Sequence, residues 1–265
     1  MKIAILPMDI TWGKKEENLI STAERLRYVH PDTDIVVLPE TFTTGFVRKK
    51  EQLRELAETN DGHTIDDVHR WAKFFKFVIV GSFVACDAAR TRFYNRAFFI
   101  EPSGDETFYD KHHLFIPSGE GEAYTAGDKL PPIIRYMGWD FALAICYDMR
   151  FPEWLRNRDG RYEVLLLPAS WPEARRLAWD ILLRARAVEN QAYAVGANRS
   201  GVDPGGEYLV DSSMVIDYMG RCVSTIDRDH GIVYATLDHD ALREARRKLP
   251  VLQHQDSFTL DCLSQ

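Results

Sequence analysis

Three residues whose types suit acyl chemistry each stand just past an apolar or strand-like run. Glu40 follows DIVVLP (34–39), Lys111 follows ETFYD (106–110), and Cys146 follows FALAI (141–145). A thiol attacks as its thiolate, a minority species near neutral pH, so Cys146 needs a base or a nearby cation. Histidine is one such base. The histidines after Cys146 are His230, His239 and His254, which sit in apparent turns or helix starts beside Asp229, Asp238 and Asp240, or in the tail, and read as surface residues. A carboxylate is the other. Glu40 would take the proton if burial raised its pKa, and Lys111 would supply the fixed positive charge that an oxyanion requires. The sequence favours this carboxylate design.

Positioning three strand ends at one point requires a sheet. Short β-rich runs alternate with helical patterns: KIAILP (2–7), a helix around 14–29, DIVVLP (34–39), a helix near 64–75, then FVIVGSFV (77–84). Strand, helix, strand at this spacing is a βαβ signature, with buried strands that read as continuous apolar runs. FYNRAFFIE (93–101) and ETFYDK (106–111) flank PSGD, a hairpin signal that makes the sheet mixed. After Cys146 the pattern predicts a helix opening at Pro152, a strand EVLLLPAS (163–170), a long helix near 175–190 and a strand AYAVGAN (192–198). Two further strands, YLVDSSMVID (208–217) and GRCVSTID (220–227), read as a hairpin through Tyr218 and Met219; GIVYATLD (231–238) and a helix near 240–248 follow. No repeat, linker or composition break divides the chain, so one domain over 1–265 is expected. Open α/β sheets bind ligands outside the carboxyl ends of their strands, where Glu40, Lys111 and Cys146 would converge.

Composition narrows the partners. The 265 residues are 45% apolar and 28% charged with a net charge of -7, a globular profile that argues against a nucleic-acid or anionic-membrane partner. Arg246, Arg247 and Lys248, the longest basic cluster, read as a solvated helix end. The opening MKIAILPMDITWGKKEEN is too short in apolar residues for a signal-peptide core, so a cytoplasmic protein is expected. Cys86, Cys146, Cys222 and Cys262 lie far apart with no CxxC pair, which points to neither zinc nor a disulfide framework. Cys86, Cys222 and Cys262 read as structural thiols. Adjacent residues on an extended chain point to opposite faces, so His112 and His113 read as packing and hydrogen-bonding groups rather than a metal pair. GEGEAY (119–124) begins like a dinucleotide fingerprint but has Tyr124 where a third glycine belongs.

LPETFTTGF (38–46), YDKHHLF (109–115) and CYDMRFPEW (146–154) resemble, in order and spacing, the Glu, Lys and Cys motifs of the nitrilase superfamily of carbon-nitrogen hydrolases. NRAFFIEPSG (95–104), YTAGD (124–128), LLPASWP (166–172) and RARAVENQAYAVGANRSG (184–201) are similar to the family too, so the resemblance covers nearly the whole chain. LPETFTTGF and HHLFIPSGEGEAYTAGD look closest to the bacterial omega-amidases, which cleave the terminal amide of α-ketoglutaramate or α-ketosuccinamate to the 2-oxo acid and ammonia.

That resemblance implies a four-layer α-β-β-α sandwich, commonly paired into a homodimer or larger assembly, that needs no metal or organic cofactor. It implies that Glu40 is the general base, that Cys146 attacks the amide carbon to form a thioester, and that Lys111 with the Tyr147 backbone amide holds the oxyanion. A good donor of this kind contributes roughly 3 to 4 kcal/mol. A second glutamate of the family, which orients the lysine and substrate, is assigned to Glu120 by its distance before AGD, with Glu122 the neighbouring alternative. Phe42 and Thr43 beside the base, Tyr147, Met149 and Arg150 beside the nucleophile, and Trp171 after its strand are placed to line the pocket. Arg150 is the nearest cation for a substrate's far carboxylate, or else it anchors its loop on Asp148 or Glu153. The same three residues would serve a deaminated glutathione amidase, an N-carbamoyl amine hydrolase or a nitrilase.

Overall fold

A computed structural model of the chain describes residues 1–260, so Cys262 lies outside the described residues. The strands in chain order are β1 (Lys2–Ile5), β2 (Ile35–Val37), β3 (Val78–Cys86), β4 (Phe93–Ile100), β5 (Glu106–Asp110), β6 (Ile133–Tyr136) and β7 (Trp139–Leu143). They continue as β8 (Val164–Ala169), β9 (Tyr193–Asn198), β10 (Gly201–Asp203), β11 (Gly206–Tyr208), β12 (Met214–Ile216), β13 (Thr225–Asp227) and β14 (Ile232–Thr236). The α-helices are α1 (Lys15–Leu26), α2 (Lys50–Leu56), α3 (His63–Phe75), α4 (Glu120–Ala123), α5 (Arg176–Glu189) and α6 (His239–Lys248).

Seven strands form one mixed sheet in the order β13-β14-β1-β2-β3-β4-β5, and five form a second in the order β12-β9-β8-β7-β6. Within them β1, β2 and β3 run parallel, as do β7, β8 and β9. Alternation along a strand sends successive side chains to opposite faces. On β1, Ala4 packs with Leu19 and Leu26 of α1 and Ile65, Val68 and Ala72 of α3. Ile3 and Ile5 face the other way, into the core shared with Leu143 and Leu165 of the second sheet. Beyond the second sheet, Trp179, Leu183 and Ala187 of α5 close that core. A Cβ on Gly196 of β9 would lie 2.6 Å from the Trp179 ring, so the glycine is what lets α5 sit so close. The layers are therefore helix, sheet, sheet, helix. Both faces of the central parallel strands are covered, which is why they read as uninterrupted apolar runs.

The β4–β5 hairpin forms as expected, with Gly104 at φ 97° in its turn. Two expectations fail. No helix opens at Pro152: the chain makes a short 3₁₀ turn over Cys146–Arg150 and then irregular turns. Trp154 explains it, because its Nε1 donates to the Tyr109 hydroxyl at 2.9 Å and its ring stacks on His112, tertiary contacts that override local helix preference. The expected strand over 208–217 is interrupted by a 3₁₀ turn at Val210–Ser212. Its hairpin partner also changes sheets: Ile216 bridges Cys222, but Thr225–Asp227 then pairs with β14 in the seven-stranded sheet. The β6–β7 hairpin and α2 join the expected elements.

Candidate active site

Glu40 lies three residues past the end of β2, Lys111 one residue past β5, and Cys146 three residues past β7. Two come from the first sheet and one from the second, and all three line one cavity of about 290 Å³. Lys111 Nζ donates to Glu40 Oε1 at 2.8 Å and to Glu120 Oε1 and Oε2 at 3.0 and 3.1 Å. Lys111 and Glu40 are each 2% exposed and Glu120 is fully buried, whereas Glu122 faces solvent. Of the two glutamates, Glu120 is the one that meets Lys111.

The glutamates are held from behind. Asn95 Nδ2 donates to Glu40 Oε1 at 2.7 Å, and Ser82 Oγ donates to Asn95 Oδ1 at 2.9 Å. The Ser170 amide donates to Glu40 Oε2 at 2.8 Å, which ties the carboxylate to the end of β8 as well. Gly127 supports the lysine: its amide donates to the Lys111 carbonyl at 2.9 Å, and a Cβ there would meet the Asp110 carbonyl at 2.1 Å. Buried polar groups need such partners, since an unsatisfied one costs about 1–3 kcal/mol.

Charge follows from this geometry. Burial alone would lower the Lys111 pKa, but the facing Glu120 and Glu40 charges outweigh it and hold the ammonium well above its usual range. Burial raises the Glu120 carboxyl, with Lys111 pulling against it and Glu40 adding to it. Burial first, and the Glu40 charge second, push the Cys146 thiol well up, while Lys111 pulls it down. Burial thus favours the thiol form of the resting sulfur. Cys146 also has φ 41°, a left-handed backbone that is strained for a residue with a side chain.

Around this floor the cavity is walled by Trp12, Phe46, Phe115, Tyr147, Trp171 and Tyr208, with Arg48, Arg150, Arg175 and Asp203 among them. Tyr147, Arg150 and Trp171 stand where the sequence placed them. Phe42 and Met149 do not line the cavity. Phe42 is wholly buried against Phe98 on the helix-facing side of the first sheet, and Met149 is wholly buried in the core that the two sheets and α5 share. Thr43 is buried as well. The chain past β2 is a turn closed by the Gly45 amide on the Thr41 carbonyl at 2.9 Å, with Thr41 at φ 46° and Gly45 at φ 66°, and Phe46 just beyond it reaches the cavity. Arg150 lies over the rings of Trp171 at 4.8 Å and Tyr147 at 5.9 Å, not against Asp148, whose oxygens are taken by Tyr109, Ile145 and His113.

His112 and His113 form local contacts: His112 Nδ1 meets the Gly127 carbonyl at 2.6 Å, and His113 Nδ1 meets Asp148 Oδ1 at 2.9 Å. They do not point to opposite faces, since both rings pack on Trp154. His230, His239 and the free thiols Cys86 and Cys222 are absent from the cavity lining. Asn95, Ser82, Ser170, Phe46, Arg48 and Arg175 were not singled out in the sequence. Asn95 carried one signal, a polar residue inside the apolar run of β4.

The carbon-nitrogen hydrolase family model matches residues 2–247. The chain is 37% identical to omega-amidase YafV of Escherichia coli K12 over 98% of both chains. It is 33% identical to 2-oxoglutaramate amidase of Bacillus subtilis 168, over 94% of this chain and 95% of that one. Among solved structures, XC1258 from Xanthomonas campestris, a CN-hydrolase superfamily protein with an arsenic adduct in its active site, superposes with a TM-score of 0.90 at 32% identity over 98% of both chains.

Proposed function

The chain belongs to the carbon-nitrogen hydrolase family, and from that premise we propose that it is an omega-amidase. Its substrates would be small 2-oxo dicarboxylic acid monoamides, α-ketoglutaramate and α-ketosuccinamate. The observation that carries this reading is the meeting of Glu40, Lys111 and Cys146 in one cavity with arginines at its rim.

Glu40 takes the thiol proton as the sulfur attacks the amide carbon. Because burial keeps Cys146 protonated at rest, proton transfer and attack belong to one step. The carbonyl oxygen becomes an oxyanion. Lys111 has three N–H donors, of which two are committed to Glu40 and Glu120, so the third is free for the oxyanion. The Tyr147 amide opens the 3₁₀ turn, where backbone N–H groups lack intrahelical acceptors, and supplies the second donor. Protonated Glu40 then passes its proton to the departing nitrogen, which leaves as ammonia with a thioester on Cys146. Water, deprotonated by Glu40, attacks the thioester carbon and releases the 2-oxo acid and the thiol. Glu120 holds Lys111 in place. Arg150, stacked on Trp171 and half-buried, meets the substrate's far carboxylate.

The whole chain would be one carbon-nitrogen hydrolase domain acting in the cytoplasm. Among the described residues no helix is long and apolar enough to cross a membrane. Pairing as a homodimer is supported by α5, where Leu177, Ile181 and Val188 stand 74%, 56% and 47% exposed. Ammonia release from α-ketoglutaramate by wild type and by folded Cys146→Ala is the deciding experiment. Release by wild type alone is expected. Equal release by both would remove the cysteine from the chemistry, and none from wild type would remove the substrate.

A further inference from the structure

Asp148 is fully buried and sits two residues past the nucleophile. Its side chain accepts four hydrogen bonds from two separate stretches of chain. Oδ2 takes the Ile145 amide at 3.1 Å and the Tyr109 hydroxyl at 2.9 Å. Oδ1 takes the His113 amide and His113 Nδ1, both at 2.9 Å. Ile145 immediately precedes Cys146, whereas Tyr109 and His113 flank Lys111. One carboxylate therefore joins the second sheet's nucleophile turn to the first sheet's lysine strand.

We infer that Asp148 is a positioning residue for catalysis: it sets the distance and angle between the Cys146 sulfur and the Lys111 ammonium by clamping their two segments together. Three features of the surroundings fit this role. Burial, and next the Asp148 charge, push the Tyr109 hydroxyl well above its ordinary pKa, so it remains a donor. Trp154 Nε1 donates to that hydroxyl at 2.9 Å and leaves its proton free for Asp148. The Asp148 amide donates to the Ile145 carbonyl at 2.9 Å, which closes the turn from both ends around the strained Cys146 backbone. A carboxylate suits the position because every facing group is a donor. An amide in its place would turn an NH₂ toward at least one of them.

The inference rests on Cys146 being the nucleophile, so the test reads the thiol both with and without substrate. Asp148→Asn is compared with wild type for melting temperature, for kcat and KM on α-ketoglutaramate, and for the rate of Cys146 alkylation by iodoacetamide, followed on the Cys146 peptide by mass spectrometry. The folded variant is expected to lose about 100-fold in kcat, the scale of a misplacement near 1 Å, with a comparable fall in alkylation and an unchanged KM. A purely structural residue would lower the melting temperature and leave both rates of the folded protein alone. Rates within twofold of wild type, or a loss confined to KM, would overturn the inference. If Asp148→Asn does not fold, His113→Phe decides, since it keeps the ring on Phe151 and removes one of the four donors. About a tenfold fall in kcat and alkylation supports the clamp, and no change in either overturns it. Wild type with an unreactive Cys146 would overturn the nucleophile and the clamp together. A reactive Cys146 without turnover would overturn only the substrate, and the alkylation comparison would still decide the clamp.

Discussion

The floor and the rim of the cavity are built on opposite principles. At the floor, Lys111, Glu40 and Glu120 are buried, and their contacts come from β2, β5, α4 and the end of β8. At the rim, Arg150 and Arg175 rest their guanidinium groups over the aromatic faces of Trp171 and Phe115 at 4.8 and 5.1 Å. A buried charge must be paired and hydrogen-bonded or it destabilises the fold, so the floor is over-determined. A rim arginine keeps water available and gives up little by waiting for a substrate anion. On the proposed function, the difference would separate reactivity, at the floor, from substrate choice, at the rim.

The floor should break first. Lys111→Met removes the cation between two buried carboxylates, so turnover is expected to fall at least about 10³-fold. Stability should fall too, by about 3–5 kcal/mol on loss of one partner of a buried ion pair. Steady-state kinetics and denaturant midpoints measure the two effects, and a variant with wild-type stability would show that the cluster is less tightly coupled than its distances imply.

The floor also sets a pH signature. With burial holding the Cys146 pKa above its ordinary value, the thiolate fraction between pH 6 and 8 is small and rises about tenfold per unit. Alkylation of the free enzyme by iodoacetamide should climb across that range without levelling off. A plateau would mean that alkylation draws on a preformed thiolate or on proton transfer to Glu40 within the step, rather than on the free thiolate fraction.

The rim should give the smallest and most selective effect. Arg150→Ala is expected to raise KM for α-ketoglutaramate about tenfold, the loss of one hydrogen bond to a charged group, and to leave kcat within a few-fold. The same variant should handle a neutral short-chain amide as wild type does. A fall in kcat at unchanged KM would erase the division between floor and rim.

Legibility divided differently, between what neighbouring residues encode and what distant ones supply. That Glu40, Lys111 and Cys146 share one cavity could be expected because each follows a run of strand character, a property of neighbouring residues. Phe42 and Phe46 sit in one motif, yet only Phe46 reaches the cavity, because the turn that closes over 41–45, with Gly45 at φ 66°, lies between them. Asn95 meets Glu40 across 55 positions of sequence, and no local pattern encodes that. The segment after Pro152 looked helical until Trp154 found Tyr109 and His112.

Alone, the amino-acid sequence determined the alternation of strands and helices, the burial of both sheet faces and the placing of a glutamate, a lysine and a cysteine just past strand ends, since periodicity and residue chemistry are local. Tertiary structure decided which donors hold those side chains, which aromatic rings wall the cavity, and how far sulfur, carboxylate and ammonium stand from one another. Those quantities arise where two sheets meet, between residues that the chain brings together only when it folds.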